Sequence, residues 1–106
     1  DFNKTVSEIP QNALSILLSH TPEVYAQAAE HGFAVMFCGH THGGQICLPG
    51  GIPITLDSRC PRNLGRGSWQ HNQMQGYTSA GSGCSIVVAR INCPPEVTLH
   101  TLVCAA

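Results

Sequence analysis

The chain has 106 residues, enough for one compact core or a piece of a larger one, and no internal repeat or low-complexity tract divides it. Charged residues make up only 10% of it, against about 25% in ordinary soluble domains, so its surface either is solvated by Ser, Thr, Asn and Gln or faces further polypeptide. A formal charge of -1 without a Lys/Arg cluster argues against nucleic acid or an anionic membrane as the main partner, and no apolar run approaches the roughly 20 residues of a spanning helix.

The chain opens Asp1-Phe2-Asn3, with no Met and no leader-like segment, which places the expected N-terminus of the protein upstream. Ala13 to Ser19 is a short apolar run whose length predicts a buried strand, with His20 at its exit. Thr21 as N-cap, Pro22 at the first helical position, Glu23 in the first turn and Gly32 as a stop predict one short helix, with Val24 and Ala28 facing inward. Phe33 to Cys38 predicts a second buried strand, parallel to the first. Gly43 to Gly51 holds four glycines and a proline and reads as a site-building loop. Between Asp57 and Gln75 neither period stands out, and Arg59 to Gly67 reads as an exposed excursion. Gly83 to Ile91 and Val97 to Val103 are rich in β-branched residues, and Pro94-Pro95 between them forbids a helix, so an antiparallel hairpin is expected.

Six cysteines form an even set, as in a disulfide-stapled secreted domain. Cys38, Cys84 and Cys104, however, lie in or beside apolar runs, and no Cys-x-x-Cys pair occurs, so reduced thiols packed as small hydrophobes are the favoured reading.

The stretch Gly39-His40-Thr41-His42-Gly43-Gly44-Gln45 carries the most chemistry. Two imidazoles at i and i+2 in extended backbone would share a face with Cα atoms roughly 6.5 Å apart, a spacing suited to one imidazole on each of two neighbouring cations. The glycines clear space around them. Parallel strands joined by a helix deliver their carboxyl ends to the same sheet edge, where open α/β sheets bind ligands, so His20 is expected to join His40 and His42 as metal ligands. Neutral imidazole suits Zn, Mn, Fe, Co or Ni alike. His31, His71 and His100 have no such setting and read as surface or satisfied polar residues. Cys38, His40, His42 and Cys47 could alternatively form a non-catalytic tetrahedral zinc module. Two divalent cations bring four positive charges that neutral imidazoles do not offset, while Asp1, Glu8, Glu23, Glu30, Asp57 and Glu96 are dispersed. Either the site holds one cation, or a dinuclear site takes its carboxylates from upstream of Asp1.

With Leu17-Leu18-Ser19-His20-Thr21-Pro22-Glu23, the Gly-His-Thr-His-Gly-Gly-Gln stretch, Gly76-Tyr77-x-Ser79-x-Gly81-x-Gly83, Arg90 and Cys93-Pro94-Pro95-Glu96-Val97, the chain resembles the bacterial calcineurin-like metallophosphoesterases. The resemblance extends from about Leu17 to Leu102 and is nearest to the membrane-associated phosphodiesterase branch. It implies an α/β fold, the C-terminal half of a two-sheet sandwich flanked by helices, with residues 1–106 as the C-terminal portion of one domain whose N-terminal half is absent. It implies two divalent metal ions, with His20 and His40 on one and His42 on the other, and Gly43, Gly44 and Gln45 as the pocket floor. The implied reaction is phosphodiester hydrolysis by a hydroxide that the metal pair activates for in-line attack on phosphorus. The implied substrate is lipid-linked or envelope-derived, in a bacterial cytoplasmic or membrane-associated setting. Residues 1–106 alone are expected to be inactive and to self-associate through a sheet edge. One departure concerns the substrate: Ala80 stands where related proteins often carry Arg, with Arg66 and Arg90 as the available substitutes.

Overall fold

The computed structural model describes residues 1–105. A short helix α1 (Phe2–Val6), N-capped by the Asp1 carboxylate, precedes strand β1 (Ile16–Leu18). Pro22–Val24 then forms a 3-10 turn that runs directly into helix α2 (Tyr25–Glu30). Thr21 takes the extended conformation of a cap residue there, and Gly32 ends the helical stretch at φ 80°, where a side chain would be strained. Ala28 is fully buried and Val24 packs against the same core, the two inward residues of the expected helix.

Strand β2 (Val35–Cys38) follows and pairs with β1 in parallel, Leu17 opposite Met36. Two further strands complete the sheet: β5 (Gly67–His71) and β6 (Met74–Thr78) form a hairpin, and β6 lies parallel to β2. The order β1-β2-β6-β5 thus mixes two parallel pairings with one antiparallel one. Between β2 and β5 lies a small ribbon of β3 (Cys47–Leu48) and β4 (Ile52–Pro53). The architecture is mixed α/β with few helices.

The main core gathers Ala28, Phe33, Met36, Leu64, Trp69 and Met74. Trp69 lies flat over Gly76, where a β-carbon would approach the indole to 2.2 Å, and its Nε1–H donates to Thr78 Oγ1 at 2.8 Å. A second, smaller cluster of Cys47, Ala80 and Cys93 lies beneath the Gly39–Gln45 turn.

Four local expectations differ from this fold. β1 is an edge strand with Leu18 78% exposed, so the buried position expected for the first strand is not taken up among the described residues. Arg59 to Gly67 is no free excursion, because Cys60 and Leu64 enter the main core and Gly65 O accepts the Thr41 hydroxyl at 2.6 Å. The hairpin forms at 67–78, where none was expected. Gly83 to Ile91 and Val97 to Val103 form no paired strands, since Ile86, Val88, Val97 and Leu99 stand almost fully in solvent and gain nothing from pleating. No helix is long and apolar enough to cross a membrane among the described residues.

Candidate metal centre

His20 follows β1 and the Gly39–Gln45 turn follows β2, and the parallel pairing brings both strand exits to one edge of the sheet. Backbone bonds lock the two together: Ser19 N–H donates to Phe37 O at 2.9 Å and Gly39 N–H to His20 O at 3.2 Å. As a result His40 Nδ1 lies 3.0 Å from His20 Nε2. The other ring nitrogen of His40 is 3.2 Å from Asp57 O. A carbonyl only accepts, so His40 Nε2 carries the hydrogen and Nδ1 presents a lone pair, to which His20 Nε2–H donates. Once His20 carries its hydrogen on Nδ1 instead, two nitrogens this close can both touch one cation at the usual distance of about 2.1 Å.

The turn itself is not extended. His40 and His42 have φ 70° and 50°, and His42–Gly44 closes a 3-10 turn, so the alternation expected of an i, i+2 pair does not govern where these rings point. His42 does not join the His20–His40 contact. Its Nδ1 is instead buried with no hydrogen-bond partner among the described residues. An imidazole nitrogen left in that state costs free energy unless a ligand completes it. His40 and His42 both line a cavity of about 400 Å³ that is also lined by Gly44, Gln45 and Asp57 and by the apolar Ile54, Ile86 and Val87. No group of three His, Cys, Asp or Glu side chains able to hold a metal ion is gathered among the described residues.

The glycines have separate duties. A β-carbon on Gly44 would lie 2.4 Å from Pro53 Cβ, and one on Gly43 would lie 2.8 Å from Cys93 Sγ, so Gly43 packs into the small cluster below while Gly44 faces the cavity. Gln45 does more than line the floor. Its amide donates to Ser85 O (3.1 Å) and Val87 O (2.7 Å) and accepts from Ser85 N–H (2.7 Å), which pins the wall segment over the cavity.

The four-ligand zinc alternative is not assembled. Cys38 Sγ packs on Thr78 Oγ1 at 3.2 Å in the sheet core, whereas Cys47 Sγ donates to Gly43 O at 3.3 Å in the other cluster. Burial pushes both thiols up, Cys93 adding to the effect at Cys47. All six cysteines are free thiols. Among the remaining histidines, His31 contacts Gln27 O and Asn3 Oδ1 while His100 packs between Phe37 and Tyr77.

Ala80 is buried against Gly43 and the two thiols, so no long side chain fits there as the turn is packed. Arg90 does not stand in for it, because all three of its guanidinium nitrogens donate to backbone carbonyls. Sequence reasoning missed two participants, the Asp57 carbonyl and the Arg90 hub. Neither has a local signature: one is main chain, and the other acts on partners far away in sequence.

A mixed sheet that delivers imidazoles to the carboxyl edge of a parallel strand pair, beside a cavity lined in part by apolar residues, defines the chain as an α/β protein with a candidate ligand site at that edge. Among curated proteins it is similar to the uncharacterised metallophosphoesterase YkuE of Bacillus subtilis, at 31% identity over 96% of this chain and 35% of the relative. It is also similar to the phosphodiesterase YaeI of Escherichia coli, at 36% over 87% of this chain and 33% of the relative. The uncharacterised metallophosphoesterase YkoQ of Bacillus subtilis is 29% identical over 87% of the chain and 34% of its own length. The chain belongs to the calcineurin-like metallophosphoesterase family. It spans about a third of the length of these relatives. No family model matches it, and no solved structure does.

Proposed function

We propose that this chain is the C-terminal portion of a metal-dependent phosphodiesterase that uses two divalent cations. The observation that carries the reading is the pair His20 Nε2 and His40 Nδ1, 3.0 Å apart, with the partnerless buried Nδ1 of His42 on the same turn. His20 and His40 would hold one cation and His42 the other. When bound, such a pair activates water as a nucleophile and offsets charge on the phosphoryl oxygens. This chain's own residues do the rest. The Asp57 carbonyl keeps the lone pair of His40 on Nδ1, Gly44 lets the turn pack closely against Pro53, and Gln45 holds the wall segment in place.

Three neutral imidazoles leave the charge of two divalent cations unbalanced, so the reading assigns bridging carboxylates to a preceding part of a longer polypeptide. The share of the relatives that this chain spans supports that assignment. The apolar Ile54, Ile86 and Val87, which line the same cavity as His40 and His42, support a diester with an apolar group, as in a lipid-linked substrate. The exposed β1 edge supports self-association of residues 1–106 alone.

The test compares residues 1–106 with the longer polypeptide, using elemental metal analysis and hydrolysis of bis(4-nitrophenyl) phosphate. The longer polypeptide should hold about two metal ions, lose activity to a chelator and regain it with Mn or Zn. Residues 1–106 should be inactive and oligomeric by light scattering. Equal activity in both would sink the reading, as would full activity in a His42→Ala variant of the longer form.

A further inference from the structure

Arg90 concentrates more polar contacts than any function assigned so far requires. Its Nε donates to Gly83 O (3.0 Å) and its Nη1 to His42 O and Cys93 O (both 3.3 Å). Its Nη2 donates to Ala80 O (2.5 Å), Gly81 O (3.1 Å) and Gly83 O (2.6 Å). A guanidinium has five N–H donors and no acceptor. Six carbonyl contacts, with Nη1 also 3.6 Å from Cys93 Sγ, therefore occupy it, and no donor remains for a substrate oxygen.

The carbonyls come from three stretches, the 80–83 segment and Cys93 near Arg90 in sequence and the His42 turn far from it. Of these, the His42 carbonyl is the one tied to a site residue. It also accepts from Gln45 N–H (3.0 Å) and from the Cys93 thiol (3.3 Å). His42 is in the left-handed region at φ 50°, which is strained for a residue with a β-carbon and persists only where neighbours over-determine it. That peptide sets the direction of the Cα–Cβ bond from which the imidazole hangs.

We infer that Arg90 is a positioning residue that fixes the peptide of His42 and so holds its ring, with the partnerless buried Nδ1, in the turn that borders the cleft. A planar fork spreads five donors in fixed directions over three separate stretches, whereas the ammonium of lysine offers three from a single point. The consequence for catalysis rests on the phosphodiesterase reading; the geometric claim does not.

The experiment uses the longer polypeptide with Arg90→Ala and Arg90→Lys, each read by nitrogen NMR of 15N-labelled imidazoles and by steady-state hydrolysis of bis(4-nitrophenyl) phosphate. Both variants should shift the His42 ring resonances and leave those of His31 in place. They should lower kcat about 10- to 100-fold, the usual cost of losing a group that orients a ligand, with KM within about twofold. Added guanidinium should partly restore Arg90→Ala. Unmoved His42 resonances would overturn the inference, and so would a raised KM at constant kcat, which marks direct substrate contact. Should Arg90→Ala fail to fold, Arg90→Lys decides, since it keeps the charge and loses the fork; wild-type behaviour there overturns the claim. If the parent polypeptide shows no metal-dependent hydrolysis, the phosphodiesterase reading fails and the NMR shift still judges Arg90.

Discussion

The two halves of this molecule are held together by different forces. The sheet half buries Met36, Phe33, Trp69 and Met74 in one continuous core, and apolar area removed from water stabilises it. The turn half, built from residues 39–51 and 79–96, has only Cys47, Ala80 and Cys93 as its core. There the main chain is tied by single side chains: Gln45 to Ser85 and Val87, Arg90 to three stretches, Glu96 to Tyr77 and Ala80, and Asn92 to Cys47. The half that carries the imidazoles is thus set by direction-sensitive bonds, which fix backbone conformation more sharply than packing does.

The largest effect that separates the halves should come from Trp69→Ala in the longer polypeptide, which removes the indole from the core and its bond to Thr78. A loss of about 3–5 kcal/mol in urea unfolding is expected. A loss near zero would dissolve the distinction. Gly44→Ala acts on the other half, where φ 88° and the 2.4 Å approach to Pro53 leave no room for a methyl group. It should cost about 1–3 kcal/mol, and hydrogen exchange should speed up at residues 42–46 before the amides of β2 and β6 respond. Uniform acceleration across both halves would show one cooperative unit.

The smallest of the three effects depends on pH. Burial works against ionisation of Glu96, but bonds from Ala80 N–H, Tyr77 and Thr98, with Arg66 nearby, hold its carboxyl below the ordinary value of 4.5. A depressed folded value means that its contribution is complete above the ordinary value and is lost as pH falls through the folded one. Glu96→Gln should therefore cost about 1–2 kcal/mol at pH 7, and the gap to wild type should close in strong acid. A gap that stays constant with pH would assign the effect to shape instead of charge. The same contact pushes the Tyr77 hydroxyl up, because Glu96 favours the protonated phenol.

Sequence alone revealed much of the sheet half's first stretch. Pro22 and Gly32 bracket the helical segment, and the apolar run at 33–38 contains β2. It also placed His20 and His40 together, since a parallel pairing needs only two strand exits. The 67–78 hairpin stayed hidden because its inward face carries Trp69, Met74, Gly76 and Thr78, of which only two are large apolar residues. Its one turn signal was Asn72, at φ 52° between His71 and Met74. Conversely, Val88 and Val97 look like strand residues but have no surface to cover, so composition misled where burial was lacking. His42 could not be aimed from its sequence neighbours, because Arg90 lies 48 positions away.

The oxygen that keeps a hydrogen on His40 Nε2 belongs to the peptide of residue 57, at φ 49°. That oxygen is supplied by whichever amino acid occupies the position, provided the same backbone bend is tolerated, as Asn and Gly tolerate it. A side-chain scan through this loop would pass over it, and the position can drift in evolution while its contribution to the cleft stays unchanged.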